Sequence, residues 1–223
     1  MSLLGNAIVA IWNDIKPEMR AEFYEWHSRE HMLERVGIPG FLRGRRLIAD
    51  RGHPEWFTLY EVDAPGTLAG SEYLARLNTP TDWTRKVVPS FTDVTRSLCN
   101  TKYTTGSGVG GAMVTLRCDS MPGRATELES YFERMLPELA KLPRVHGAHL
   151  CRLETRASSI QTEERKVRSN GNLLAEFVVM IEASVPDALD IVVSEFNVDQ
   201  LLKAGASNKA PLEVGLYRLE FIC

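Results

Sequence analysis

The same order of secondary-structure signals runs through this chain twice, and that repetition restricts it to folds built from two like halves. From Ala7 the pattern reads as an apolar strand (Ala7 to Trp12), then a helix opened by Pro17 in its first turn and running to Val36. A Pro39-Gly40 turn follows, then strands from Phe41 to Ile48 and Trp56 to Val62, a helix from Thr67 to Leu77 and a last strand from Val94 to Leu98. Strand alternation returns from Ala112 to Cys118, helical period from Arg124 to Leu142, and extended sequence from Val145 to Glu154 and Leu173 to Glu182. A helix from Ala188 to Glu195 and a strand from Val214 to Phe221 complete the second copy. Each copy is βαββαβ. Pro39 and Pro143 mark the same turn, and Glu61-Val-Asp-Ala-Pro65 echoes Glu182-Ala-Ser-Val-Pro186. A chain of 223 residues has room for two units of about 110 residues, each able to bury a core.

Between the copies lies Thr104-Thr-Gly-Ser-Gly-Val-Gly-Gly111, whose composition reads as a flexible connection. Gly106, Gly108 and Gly111 match G-x-G-x-x-G, but a dinucleotide fingerprint opens a helix and this stretch leads into a strand. The expected organisation is a first half over residues 1–105, a Gly-rich linker over 106–111 and a second half over 112–223. A further polar stretch, Arg156 to Asn172, stands where the first copy has a short connection, and it reads as a solvated loop.

The chain carries a formal net charge of -3 and no run of Lys or Arg, so it lacks the electrostatic footprint of a nucleic-acid binder. No positively charged leader opens it and its apolar runs are strand-length, so neither export nor membrane insertion is expected. Cys99, Cys118, Cys151 and Cys223 are widely spaced with no C-x-x-C, as expected of reduced thiols in a cytoplasmic protein.

In the helix from Pro17 to Val36, a rotation of about 100° per residue places Met19, Phe23, Trp26 and Leu33 on one apolar stripe, the face expected on the sheet. Glu30 falls in the middle of that stripe. His27 and His31 lie one turn apart on its flank, with Tyr24 and Arg20 nearby. A carboxylate aimed at a sheet is strongly destabilising unless it is paired or reaches water. Two arrangements are open: Glu30 pairs with one of Arg43, Arg45 and Arg46 as a structural lock, or it faces a pocket with the histidines beside it. In the second copy Tyr131, Arg134 and Met135 replace His27, Glu30 and His31, so any polar pocket is expected within residues 1–105.

His27 to His31 also spells H-x-x-E-H, a metalloprotease motif. Two imidazoles on one helical face suit zinc, but no third ligand is marked, since His53 lies in a polar turn and His146 and His149 belong to the other copy. Neither a metal nor a cofactor is expected.

A βαββαβ unit whose first helix carries Trp26-His27-x-x-Glu30-His31, followed by Glu34-Arg35 and Pro39-Gly40-Phe41-Leu42-Arg43, resembles the EthD-like branch of the dimeric α/β-barrel superfamily. The resemblance covers residues 7 to 98; over 111 to 223 it rests on element order and the proline turns. It implies an α+β fold of two ferredoxin-like halves whose antiparallel four-stranded sheets pack face to face, here as a tandem fusion within one chain. It further implies a pocket between sheet and helices, in a superfamily that includes lactone isomerases, cofactor-free monooxygenases, polyketide cyclases and haem-degrading enzymes. Fold alone does not select among them.

Two functional classes follow. In one, a small apolar, aromatic or lactone-like metabolite enters a pocket lined by Tyr24, Trp26, Trp56 and Tyr60; His27, Glu30 or His31 acts as acid or base, and Arg43 or Arg45 holds a developing enolate. This is a cofactor-independent isomerase, cyclase or monooxygenase-like enzyme. In the other, the same fold binds a ligand without turnover or serves assembly, with Trp and Tyr as ordinary core. A haem-degrading enzyme would need a proximal histidine facing an open cavity, a role for His31. The expected partners are a small-molecule ligand and further copies of the fused chain.

Overall fold

Strand β3 (Trp56–Val62) is buried at every position, and so are β5 (Ala112–Cys118) and β7 (Phe177–Ala183), so both faces of these strands are covered. The cover differs on the two sides. In the computed structural model, which describes residues 2–167, 174–209 and 212–223, one face lines a closed barrel and the other lies under helices. The remaining strands are β1 (Ala7–Ile15), β2 (Phe41–Arg51), β4 (Phe91–Gly106), β6 (Val145–Leu153) and β8 (Glu213–Ile222). Their order around the antiparallel barrel is β1-β3-β2-β8-β5-β7-β6-β4.

Residues 7–106 supply the order β4-β1-β3-β2 and residues 112–222 the order β8-β5-β7-β6, the same arrangement twice. The seams are β2 against β8 and β4 against β6. Instead of two sheets stacked with free edges, the edges pair, and among the described residues no edge strand is left for aggregation. The turn marked by Pro39 and Pro143 recurs in detail, with Gly40 at φ +91° and Arg144 at φ +64°. Arg144 takes without glycine a left-handed conformation that side chains seldom adopt.

The barrel interior is filled by Ile8, Trp12, Leu47, Phe57, Leu59, Met113, Val178, Met180 and Tyr217, with Trp12 stacked on Phe57 at 4.6 Å between centroids. Outside, helix α5 (Ala125–Leu139) covers the second half through Leu128, Phe132 and Leu136. The first half is covered by α1 (Arg20–Trp26), α2 (Met32–Val36), α3 (Ser71–Asn78) and α4 (Asp82–Val87). No helix of the described residues is long and apolar enough to cross a membrane.

Three expectations change. β4 runs to Gly106 and pairs Thr104 with His149, so Thr104 to Gly106 are strand rather than loose connection. Gly110 is also fixed, its N–H donating to Glu182 Oε2 at 2.9 Å. The stretch from Arg156 is not a simple solvated loop: α6 (Thr155–Ser159) and α7 (Glu163–Val167) form within it, and Ala157, Ser158, Thr162 and Glu164 are buried against the first half. Residues 168–172 of that stretch, and Leu173, lie outside the described residues. Finally, α8 (Asp190–Glu195) is followed by α9 (Val198–Ala204), mirroring the α3 and α4 pair; neither α4 nor α9 was signalled by apolar period.

Candidate functional site

The first helix is not one continuous α-helix. Between α1 and α2 the residues His27–His31 form a π turn. A π turn takes up roughly one extra residue, which at about 100° per residue rotates everything beyond it. The expected stripe therefore ends at Trp26. Leu33 is 51% exposed, while His31, Met32 and Arg35 take the sheet side. Glu30 rotates to a half-buried position where its Oε1 accepts a hydrogen bond from Thr81 Oγ1 at 2.6 Å, beside the N-terminus of α4. Among the described residues Glu30 has no arginine partner, so the expected structural lock is absent.

Strand parity explains why. Arg43, Arg45 and Leu47 point into the barrel, and only Arg46 points to the helices. Arg45 is fully buried between Glu61 Oε1 at 2.9 Å and Glu182 Oε2 at 2.8 Å; Arg43 reaches Glu61 and the carbonyl of Ser2. His149 Nε2 lies 3.2 Å from Glu182 Oε1. Burial pushes the Glu182 carboxyl up, but the hydrogen bond to His149 and the charge of Arg45 outweigh it and hold Glu182 at about 2. This interior network plugs one end of the barrel, so Arg43 and Arg45 cannot serve a site on the helix side. Their carboxylate partners were the missed residues. Glu61 and Glu182 are the one charge in each of two otherwise uncharged strands, at the same place in each copy, a signal legible in the sequence.

On the helix side, His27 is 4% exposed and stacks on Phe23 at 4.9 Å and on His31 at 5.7 Å. His31 in turn packs on Trp26 at 4.2 Å, whose Nε1 donates to Thr84 Oγ1 at 3.2 Å. Arg46 Nη1 lies 3.4 Å from His27 Nδ1 and donates to Ser28 Oγ at 3.0 Å, while its Nε donates to Glu220 Oε2 at 2.8 Å. Tyr24 donates to Glu220 Oε1 at 3.2 Å and lies edge-on to Trp56. A guanidinium can only donate, so Nδ1 of His27 is the acceptor and the ring proton sits on Nε2. Burial first, then the electrostatic influence of the neighbouring His31 and Arg46, keep the His27 imidazole well below the usual histidine range and hence neutral.

Thus Tyr24, Trp26, His27, His31 and Trp56 come together with Arg46, while Tyr60 lies further along β3 beside Phe41 and Tyr73. The contrast with the second half is sharpest on the outward face of this strand. The shared register places Phe177, Val179 and Ile181 of β7 where β3 has Trp56, Thr58 and Tyr60, and Leu150 where β2 has Arg46. Thr58 Oγ1 and Tyr60 Oη are buried with no hydrogen-bond partner among the described residues.

Open space lies elsewhere. A cavity of about 600 Å³ sits between α5 and α9, lined by Thr126, Ser130, Tyr131, Arg134, Gln200 and Lys203, and another of about 490 Å³ lies within residues 1–105, lined by Asp14, Arg20, His53 and Glu55. His31 is packed against Trp26 rather than facing an open cavity, so the fit a haem ligand requires is not met. Among the described residues, side chains close enough to share a cation are Asp14, His53 and Asp93. Each His53 ring nitrogen there faces a different carboxylate, at 3.2 and 3.9 Å, an arrangement suited to an ion pair.

No protein-family model and no curated protein matches the sequence. Solved structures do match over nearly the whole chain. An anthrone oxidase-like protein superposes with TM-score 0.62 at 9% identity, covering 97% of this chain and 92% of the other. A candidate monooxygenase from Fusobacterium nucleatum gives 0.59 at 10% identity, with 98% and 94% covered. One from Lactobacillus acidophilus gives 0.55 at 14% identity, with 98% and 96% covered. The chain has the α/β-barrel fold of ferredoxin-like type that dimeric proteins of this class share. At these identities the likeness speaks for fold only.

Proposed function

We propose that the protein is a cofactor-independent enzyme acting on a small apolar, aromatic or lactone-like metabolite by acid/base chemistry in the layer between β3 and the first helix. The observation that carries this is the outward face of β3 and β2. Trp56, Thr58, Tyr60 and Arg46 stand where the second half has only Phe177, Val179, Ile181 and Leu150, and two of the four bury a hydroxyl without a partner among the described residues. Such a hydroxyl is destabilising by about 1–3 kcal/mol. A fold that tolerates apolar residues at these positions in one half has no structural need for polar ones in the other.

In this reading His27, neutral with its proton on Nε2, donates to a substrate carbonyl, and His31 one turn on takes the proton beside that carbonyl. Arg46 assumes the enolate-holding role expected of Arg43 or Arg45, and Tyr24, Trp26, Trp56 and Tyr60 shape the apolar walls. Glu30 positions the helix through Thr81. We also infer that the chain is a cytoplasmic tandem fusion, its first half EthD-like, so that one chain supplies both sheets. The test is a panel of phenolic and lactone compounds monitored by imidazole NMR and turnover, with wild type and His27→Leu. The expected result is loss of turnover in a variant that melts within a few degrees of wild type; full turnover in His27→Leu would refute the assignment.

A second reading has its own support. Both histidines are buried in a stacked aromatic layer, whereas the 600 Å³ cavity lies against α5. A non-catalytic ligand-binding or assembly module would place its ligand there, and the same panel perturbing Tyr131 but not His27 would favour it.

A further inference from the structure

The connection from β6 to β7 spans residues 154–176, where the first half joins β2 to β3 with residues 52–55. The longer segment crosses onto the first half. Glu154 N donates to the carbonyl of Leu98 at 2.7 Å, Leu98 N to Ser158 Oγ at 3.3 Å, and Glu163 N to Asn78 Oδ1 at 3.1 Å. From α7 it inserts Glu164, 3% exposed, to pair with Arg35 of α2, also 3% exposed.

The pairing is incomplete on the arginine side. Arg35 Nη1 and the nearby Tyr60 Oη are buried without a hydrogen-bond partner among the described residues. The space next to Glu164 is lined by Leu68, Leu77, Leu98 and Ala157 together with the charged Arg96 and Arg165, and its volume of about 10 Å³ holds at most about one water. A buried pair replaced by apolar residues commonly loses no stability. Fold maintenance therefore does not account for a charge carried across from the other half.

We propose that this crevice binds the carboxylate of a small apolar ligand, and that Glu164 is its resident occupant. A free carboxylate entering as α7 lifts would accept two parallel hydrogen bonds from the Arg35 fork and one from Tyr60 Oη, using the two groups that Glu164 leaves over. Tyr60 follows Thr58 on the outward face of β3, so the inference rests on the layer described under Proposed function and names its substrate class: an aromatic or alicyclic acid.

The experiment uses 4-phenylbutyrate and its uncharged counterpart 4-phenylbutanamide against the full-length wild type, Glu164→Gln and Arg35→Met, with calorimetry, imidazole NMR and hydrogen exchange. Gln retains an acceptor for Arg35 but no charge, which removes the tethered competitor. Glu164→Gln is expected to bind the acid about ten-fold tighter than wild type or better. Arg35→Met is expected to bind it no better than the amide. In wild type, saturating acid should raise exchange of the amides from 163 to 167, a readout independent of how well either variant folds. Equal binding of acid and amide, no gain in Glu164→Gln, or no binding of the acid to any protein would overturn the carboxylate site. If the amide alone shifts the His27 and His31 resonances, the catalytic layer stands and the carboxylate site falls. If the acid binds through Arg35 while His27→Leu keeps full turnover, the reverse holds.

Discussion

His27 is a buried imidazole kept neutral by its surroundings, and that has a measurable pH signature. Its folded pKa lies well below the unfolded value of about 6.5. Above that value neither state binds the proton and the residue adds no pH dependence. Below it the unfolded chain takes up a proton that the folded state refuses, so stability falls with pH until the folded pKa is reached. Chemical denaturation of wild type and His27→Leu between pH 7.5 and 5, a range chosen about the free-histidine pKa, should show a steeper loss in wild type, by up to about 1.4 kcal/mol per pH unit. Parallel slopes would mean that His27 is solvated or protonated. Glu30 carries the opposite expectation. It is half-buried and accepts a hydrogen bond that Gln also accepts, so Glu30→Gln should change stability by less than about 1 kcal/mol. A loss of several kcal/mol in urea melts would restore the buried ion pair that the π turn removes.

At the scale of elements the π turn is the decisive departure. Helical period alone puts Leu33 on the sheet and leaves Met32 off it, and the structure reverses them: Met32 is fully buried and Leu33 is 51% exposed. Leu33→Lys should therefore shift unfolding by no more than about 0.5 kcal/mol, whereas Met32→Ala should lose about 2–5 kcal/mol. The opposite ranking in thermal melts would show a regular helix. The anomaly was visible in the sequence as a carboxylate at the centre of an apolar stripe, but a misfit has more than one cure. A buried partner, a wet pocket and an inserted residue all relieve it, and choosing needs the backbone path. Strand elements are more legible, because alternation depends only on neighbouring residues: the pattern marks β3 at its observed bounds, and β1, β2 and β8 within theirs.

For the whole molecule, the barrel is plugged at one end by charges drawn from both halves, with Arg45 bridging Glu61 and Glu182. Glu182 is held at about 2, below the unfolded value of about 4.3, so its contribution is complete above about pH 4.3 and is lost as pH falls toward 2. The shift corresponds to about 3 kcal/mol. Glu182→Gln should be less stable than wild type by roughly that amount at pH 6, with the gap closing at about pH 2. A constant gap across that range in urea titrations would show that the carboxylate is not the titrating group. Because the network spans both halves, the variant should still unfold in one transition.

By itself the sequence determined what is local or repeated: two βαββαβ orders, the alternation of the strands and the matching proline turns. These follow from side-chain period and turn conformation, which neighbouring residues dictate. Tertiary structure decided what depends on which surfaces meet. It closed the barrel through β2 with β8 and β4 with β6, sent Arg43 and Arg45 inward and Arg46 outward, and brought Glu164 across to Arg35. Alternation tells which residues share a face of a strand but not which face becomes the interior. Burial of charge is settled only when the partner arrives, here from 137 residues along the chain to join Arg45 with Glu182.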